Sequence, residues 1–213
     1  MFNHYFVPEI SLQDEMRDGK RYYILPDGRA FKSVTTILSE KTDKSSLEKW
    51  RKRVGEEEAN RISAIATRRG SIIHGLCENY LHNKPDYMSS ASPDDIDSFL
   101  PLRNILREHV DDIYGIELPL YSTVLEAAGR TDLIAKFDGE LSIIDFKTSK
   151  KPKQDKWIEN YYIQTTAYSL MFEELYNIKI KKLAILITVD HDVPQIFVKN
   201  TKDYYNRVRD IFC

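Results

Sequence analysis

GRTDLIAKFDGELSIIDFKTSK, residues 129–150, predicts two apolar β-strands joined by a turn. Asp138-Gly139 at its centre is a strong signal for a two-residue type I′ hairpin turn. The two strands also carry Asp132, Asp145 and Lys147 among their leucine, isoleucine and phenylalanine residues. Charged side chains are rarely buried unless they are paired or bind a metal, because leaving water costs several kcal/mol or more. The hairpin therefore raises the question of what these three charges do.

The turn fixes a register for the two strands. If Asp138-Gly139 form the turn, Phe137 pairs with Glu140, and the pairing runs back until Asp132 faces Asp145. Directly opposed residues share one face of a sheet, and Lys147, two residues beyond Asp145, joins that face. A slip of one residue would put the two aspartates on opposite faces, so the prediction depends on the register.

Opposed carboxylates repel each other, and a divalent cation between them cancels the repulsion. Their hard oxygen ligands select Mg²⁺, Mn²⁺ or Ca²⁺. A lysine beside such a cation can activate water or stabilise charge that builds up on a phosphate. The alternative is a plain ion pair between Asp145 and Lys147 at a sheet edge, with Asp132 simply solvated. The hairpin alone leaves both interpretations open.

The bulk properties are those of an ordinary globular protein. The chain has 213 residues, of which 42% are hydrophobic and 30% are charged, and we expect one domain over 1–213. In that domain an N-terminal hairpin and helices over 20–112 would pack on a core over 113–200. The net charge of −2 provides no overall field that attracts nucleic acid.

The terminal and cysteine patterns predict a cytoplasmic protein. No stretch approaches the roughly 20 apolar residues that a membrane span needs, so we expect no membrane association. MFNHYFVPEISLQDEM at the N-terminus has the pattern of neither a secretory signal nor a mitochondrial presequence. The two cysteines, Cys77 and Cys213, form no disulfide framework and are too few to hold an Fe–S cluster.

The secondary-structure signals predict strands and helices in alternation. We expect a small hairpin over Tyr22–Phe31, a helix beginning at the capping-box pair Ser45 and Glu48, and a further helix after Gly55. Ser92-Pro93-Asp94-Asp95 predicts a helix start, and that helix should end near Gly115. The remaining elements are expected at about 116–126, 128–137 and 140–148 (strands), 155–176 (helix), and 182–190 and 194–199 (strands).

Further polar residues can extend the hairpin site. His74 lies on the apolar side of its predicted helix, with Glu78 one turn on, and Glu117 precedes the hairpin and can reach the same sheet face. Gln164 and Tyr168 are four residues apart on a helix, with Tyr161 three residues before, and offer amide and phenol groups to a nucleic acid. The alternatives are a core histidine, a solvated glutamate and a helix that packs its aromatic residues into the core.

Taken in order, these residues resemble the RecB-like branch of the PD-(D/E)XK nucleases. The matching positions are His74, Asp132, Asp145-x-Lys147 and Gln164-x-x-x-Tyr168. The N-terminal half resembles the mitochondrial genome maintenance exonuclease family and its phage relatives in SVTTIL (33–38), LEKW (47–50), Gly55-Glu56 and RRGSIIHGLCENYL (68–81). The resemblance covers roughly residues 30–172. The chain departs from the motif in having Thr131, in place of proline, before Asp132.

The resemblance implies a fold and a set of roles. The fold is an α/β, restriction-endonuclease-like core with a central mixed β-sheet flanked by α-helices, and the reaction is phosphodiester hydrolysis in DNA. Asp132 and Asp145 would bind one or two Mg²⁺ or Mn²⁺ ions with His74 as a further ligand. Lys147 would be the catalytic lysine, and Gln164 and Tyr168 would lie beside the active site. Glu117, which can reach the same sheet face, is a further candidate catalytic residue.

Basic residues supply the candidate DNA contacts. Lys150, Lys151 and Lys153 directly follow the Asp-x-Lys strand, and Arg69 lies in a second basic pair with Arg68. The alternative is that these charges form solvated faces. Members of the resembled family prefer single-stranded DNA with a free end. We therefore expect a metal-dependent DNA exonuclease of phage or bacterial DNA processing, with a structure-specific or flap endonuclease and a non-catalytic DNA-binding module as rivals.

Overall fold

The computed structural model describes residues 1–213 and consists of one mixed β-sheet with helices on both faces. The strands are β1 (Gln13–Arg17), β2 (Lys20–Ile24), β3 (Ala30–Ser33), β4 (Val110–Ser122), β5 (Ala127–Phe137), β6 (Glu140–Ser149), β7 (Lys182–Val189) and β8 (Gln195–Asn200). The helices are α1 (Val34–Lys41), α2 (Ser45–Val54), α3 (Glu56–Leu81), α4 (Pro93–His109), α5 (Glu159–Tyr176) and α6 (Tyr205–Phe212). The α/β fold class predicted from the sequence is confirmed.

The predicted hairpin forms with the expected register. Strands β5 and β6 are antiparallel and pair from Phe137↔Glu140 to Leu133↔Ile144. Asp138 and Gly139 have φ values of 51° and 75°, the two positive φ values that a type I′ turn requires. The ladder stops after Leu133↔Ile144, so the two aspartates that the register would pair next lie just beyond it.

The sheet runs in the order β1-β2-β3-β5-β6-β7-β8, and β4 pairs with β5 outside this path. β3 and β5 are parallel, as are β6 and β7, whereas the other neighbours are antiparallel. The parallel pairs are possible because α1 to α4 connect β3 to the later strands and α5 connects β6 to β7.

Two hydrophobic layers hold the helices on the sheet. One layer contains Ile143 of β6 and Ile185 of β7 and packs against α1, α5 and α6. The other contains Ile144 and Phe146 of β6 and packs against α3 and α4. Successive residues of β6 thus face opposite layers, which is the alternation expected of a strand buried on both faces.

Of two predicted caps at helix starts, one is present and the other is absent. Ser92 caps α4 as expected, since its side chain accepts from the Asp95 N–H and Asp95 completes the capping box. The capping box expected at Ser45 is absent, because Lys44 is the N-cap residue and the Ser45 N–H donates to Asp43 instead.

The predicted end of α4 near Gly115 was wrong. The helix ends at His109, and β4 begins at Val110, six residues before the expected strand start at 116. β4 reaches back because Val110 and Ile113 pair with the end of β5, across register shifts on either side of Ile113. The local sequence of residues 110–115 does not predict this extension, because it depends on pairing with β5.

Three elements were not predicted: β1, α1 and α6. Each is only five to eight residues long, and α6 lies outside every motif.

None of the helices is both long enough and apolar enough to cross a membrane.

Candidate active site

The candidate site lies where β6 separates from β5. One edge of β5 is occupied by β4 over its whole length, so β6 and β3 share the other edge. β6 pairs with Leu133–Phe137 and β3 with Ala127 and Ala128, which leaves residues 129–132 without a strand partner on that edge. Asp132 closes the opening, since its Oδ2 accepts a hydrogen bond from the Phe146 N–H at 2.7 Å.

Side-chain alternation inverts at this opening. Leu133 faces the α3–α4 layer, whereas Thr131 pairs with Leu118, which belongs to the α5 layer. Two residues of one strand that are two positions apart should share a face of the sheet. The alternation of faces along β5 (its parity) is therefore reversed at Asp132. β4 changes parity at the opposite position, Glu117, whose φ of 48° lies in the left-handed region. The inversion directs Asp132 toward α3 instead of α5.

Three metal-ligating side chains converge there. His74 of α3, Glu117 of β4 and Asp132 of β5 each place one ligand atom within 4.8 Å of the other two. His74 is held by its Nε2, which lies 2.8 Å from the Phe146 carbonyl oxygen, while its Nδ1 lies 3.6 Å from Asp132 Oδ2. Two strands and one helix thus contribute one residue each.

Asp145 and Lys147 lie on the other face of the opening. They pair with Ile185 and Ile187 of β7, so their side chains point toward α5. The Asp145 carboxylate contacts the Lys147 ammonium. The expectation that Asp132 and Asp145 directly oppose each other on one face was wrong, because the parity of β5 inverts at Asp132.

Burial changes the protonation of these groups. Burial raises the pKa of Glu117 to about 7, and the neighbouring Asp132 carboxylate adds to the shift. Burial also raises the pKa of Asp145, and the Lys147 ammonium only partly offsets it. Burial lowers the pKa of Lys147, but the carboxylates of Asp145 and Asp132 more than compensate, so the net shift is upward. The site therefore holds more carboxylates than its own cation balances.

Tyr168 of α5 packs against β5 at Gly129, next to the opening. A Cβ atom added to Gly129 would lie 2.7 Å from the Tyr168 Oη and 2.9 Å from its Cε1, so the ring occupies the space that a side chain would need. Only 3% of Tyr168 is exposed. The phenol is covered by β5 in this structure, and the contact of Tyr168 with DNA stays a prediction.

The remaining predicted DNA contacts lie on α5, on the loop after β6 and on α3. Gln164 is half-buried on α5, and Lys150, Lys151 and Lys153 follow β6 on a loop whose backbone is fixed at Lys153 by two hydrogen bonds to Gln195. Arg69 is set apart, because it pairs with Asp190 in a cleft of about 940 Å³ between α3, α4 and the β7–β8 turn.

A sequence model of the PD-(D/E)XK nuclease superfamily matches residues 98–203, about half of the chain, including β5, β6 and α5. The chain belongs to the PD-(D/E)XK nuclease superfamily.

Two curated relatives of this nuclease were found. Mitochondrial genome maintenance exonuclease 1 of Mus musculus is 27% identical over 146 residues, which cover 64% of this chain and 42% of the relative. The protein of the same name from Homo sapiens is 26% identical over 130 residues, covering 57% of this chain and 37% of the relative. The chain therefore spans less than half the length of these relatives. Among solved structures, a putative exonuclease from Eubacterium rectale aligns with 68% of this chain and 63% of its own, at 11% identity and a TM-score of 0.49.

PD-(D/E)XK nucleases use divalent metal ions, and the residues present fit such an ion. One imidazole and two carboxylates form a donor set of the kind that Mg²⁺ or Mn²⁺ accepts. A cation would favour the ionised form of Glu117, whose pKa is raised first by burial and then by the neighbouring Asp132 carboxylate. Asp145 was expected in the same ligand set as His74 and Asp132, but its carboxylate is engaged by Lys147 in this structure.

One contact within the candidate site was not predicted from the sequence. Tyr161 places its ring 5.0 Å from the Lys147 Nζ. Its spacing three residues before Gln164 puts it on the same helix face, but spacing does not say which strand residue that face meets.

Proposed function

We propose that this chain is a divalent-metal-dependent DNA exonuclease that acts on single-stranded DNA from a free end. The observation that carries the proposal is the placement of His74, Glu117 and Asp132 on one side of the β5–β6 opening and of Lys147 on the other. A substrate phosphate placed at the opening would meet both. Superfamily membership and the names of the exonuclease relatives support this interpretation.

Each residue has a role in the proposed reaction. His74, Glu117, Asp132 and Asp145 would hold Mg²⁺ or Mn²⁺, as one or two ions. A bound divalent cation supplies Lewis-acid stabilisation of the charge that develops on the phosphate. Lys147 would bring its ammonium to the attacking water or to the phosphate oxygens. The Phe146 backbone holds Asp132 and His74 in place through its N–H and its carbonyl oxygen.

The path of the chain around the site supports a requirement for a free end. α1 packs on the α5 face and the second half of α3 packs on the opposite face. The segment between them, residues 42–71, therefore crosses from one face to the other. It passes the end of β6, where a Cβ on Gly70 would lie 4.0 Å from Thr148 Oγ1. Within it only Ala59 is buried. We call residues 42–71 the arch.

The arch and the lysine loop would hold the strand by its phosphates. Exposed cations lie on α2 of the arch (Lys49, Lys52, Arg53) and on the loop after β6 (Lys150, Lys151). Gln164 would contact the strand beside them. We further propose that residues 1–213 act as one domain. We also propose that the protein processes bacterial or phage DNA in the cytoplasm.

End-labelled DNA tests the proposal directly. The purified chain is incubated with linear single-stranded, circular single-stranded and linear double-stranded DNA, each with Mn²⁺, Mg²⁺ or EDTA. We expect nucleotide release from the linear single strand with metal and none with EDTA. Cutting of the circle would favour an endonuclease, and binding without any cutting would favour a non-catalytic module.

A further inference from the structure

Lys147 has three neighbours around its ammonium. It contacts the Asp145 carboxylate, lies 5.0 Å from the centre of the Tyr161 ring, and lies 3.4 Å from the carbonyl oxygen of Phe146. The last distance exceeds the usual 2.7–3.2 Å of an N–H···O hydrogen bond. The carboxylate and the ring are therefore the groups that fix the position of the ammonium.

The carboxylate is a shared anchor if the proposed function is right. Asp145 is a candidate cation ligand, and a carboxylate whose charge is partly neutralised by a bound cation attracts the Lys147 ammonium less strongly. The ring face of Tyr161 has no competing role, and a cation within about 6 Å of such a face is attracted to its π-electrons. The Tyr161 ring would restrain the flexible four-carbon stem of Lys147 whether Asp145 binds the ammonium or a cation.

Tyr161 is itself held rigidly. It lies in the first turn of α5, its N–H donates to the Ile158 carbonyl at 2.9 Å, and its carbonyl oxygen accepts from the Thr165 hydroxyl at 2.8 Å. Burial raises the pKa of its phenol, so the ring faces the ammonium as a neutral group. The Tyr161 hydroxyl makes no hydrogen bond within the protein, so the contact with Lys147 is made by the ring.

We propose that Tyr161 is a positioning residue for the reaction, and that the face of its ring holds the Lys147 ammonium where it meets the scissile phosphate. The inference rests on the proposed function for its effect on catalysis. The contact itself does not depend on that function, which allows the two to be tested separately.

Three variants of the full chain test the proposal. Tyr161→Leu removes the ring, Tyr161→Phe keeps it, and Tyr176→Leu removes a tyrosine from the far end of the same helix as a control. On linear single-stranded DNA with Mn²⁺, we expect Tyr161→Leu to lower kcat about tenfold with KM within about twofold. Tyr161→Phe and Tyr176→Leu should keep kcat within about twofold of wild type.

A second measurement does not require activity. Acylation of lysines by an amine reagent in EDTA, followed by mass spectrometry, reports how firmly each ammonium is held. Lys147 should react several-fold faster in Tyr161→Leu than in wild type, Tyr161→Phe or Tyr176→Leu. Lys199, which lies 5.5 Å from the Tyr162 ring, should react at one rate in all four proteins.

The outcomes separate the inference from the proposed function. An unchanged kcat and an unchanged labelling rate in Tyr161→Leu would overturn the inference. So would a loss in Tyr161→Phe as large as in Tyr161→Leu, since the hydroxyl would then be the active group, or an effect on KM alone. If wild type cuts no DNA but the labelling rate of Lys147 changes as expected, the contact stands and the proposed function fails.

Discussion

At the scale of single residues, the site depends on side chains that break the regular pattern around them. Glu117 adopts a φ of 48° in the middle of β4, a conformation that costs a non-glycine residue about 1–2 kcal/mol. Asp132 lies opposite Glu117, where β5 changes parity. Its carboxylate accepts the hydrogen bond from the Phe146 N–H that a backbone carbonyl of a paired strand would otherwise accept. Such local costs persist at functional sites because the surrounding structure enforces them.

Lys147→Ala should abolish cleavage while DNA binding remains, because its proposed role is in the reaction and not in holding the strand. The measurement pairs nucleotide release with fluorescence anisotropy on labelled single-stranded DNA. Lys199→Ala is the matched control, since Lys199 also lies over a tyrosine ring but far from the site. Near-normal turnover in Lys147→Ala would leave Lys147 as an ion-pair partner only.

Glu117→Gln should melt at least as high as wild type in EDTA, because it removes one charge from a crowded, half-buried group of carboxylates. Mn²⁺ should raise the melting temperature of wild type far more than that of the variant, since a ligand that binds only the folded state stabilises it. Glu126→Gln is a suitable control, because Glu126 has a φ of 45° but is exposed. Equal Mn²⁺ shifts in all three proteins would place the metal elsewhere.

Gly129→Ala should destabilise the fold by about 1–3 kcal/mol, the usual cost of overpacking. The new methyl group would lie 2.7 Å from the Tyr168 hydroxyl. Urea unfolding measures the change, and adding Tyr168→Phe should restore part of it. Gly75→Ala, where nothing lies within 4 Å of the added Cβ, should cost nothing. A neutral Gly129→Ala would show that α5 shifts easily beneath β5.

At the scale of elements, the loop after β6 brings the basic run next to the site. The Ser149 hydroxyl donates to the Lys151 carbonyl oxygen, and Gln195 of β8 bonds both backbone groups of Lys153. A loop fixed in this way presents its lysines at constant positions. In the proposed function, the ends of β6 and β7 would thus form the side of the site that faces the strand of DNA.

Changing Lys150, Lys151 and Lys153 together to alanine should weaken DNA binding and flatten its salt dependence, because fewer counterions are released from the DNA. Binding is measured by anisotropy over a series of salt concentrations. The control changes Lys179, Lys181 and Lys202, which are exposed at the opposite end of β6 and β7. If both triple variants keep the wild-type slope, the loop is a solvated face.

At the scale of the whole molecule, the two helical layers are joined by the arch over the end of the sheet. α2 has no buried residue and packs mainly against α3, so this part of the arch is a surface element. We propose that the arch and the end of the sheet bound an opening, which would admit a flexible single strand more readily than a duplex. The proposed free-end requirement would then follow from the path of the chain.

A linear single strand with streptavidin bound to biotin at both ends should resist digestion, because a bulky end cannot pass beneath the arch. The same strand with biotin alone should be digested at the normal rate. Release of label is followed with time in Mn²⁺. Digestion of the blocked strand would mean that the strand enters from the side and that the arch does not enclose it.

The sequence by itself determined the hairpin and the candidate residues. Asp138-Gly139 set the turn and therefore the register from Phe137↔Glu140 to Leu133↔Ile144. The Ser92 cap set the start of α4 in the same way. These features follow from short-range preferences, since turn and cap chemistry depends on a few adjacent residues.

The assembly of the site follows from contacts between segments that are distant in the sequence. Three strands meet at β5, and their packing inverts the parity at Asp132 and Glu117, so that Asp132 turns to His74 and leaves Asp145 with Lys147. The same packing lengthens β4 and brings the Tyr161 ring to Lys147. Regular alternation, the rule that sequence analysis has to assume, predicts the opposite face for Asp132, and only contacts between distant segments can override it.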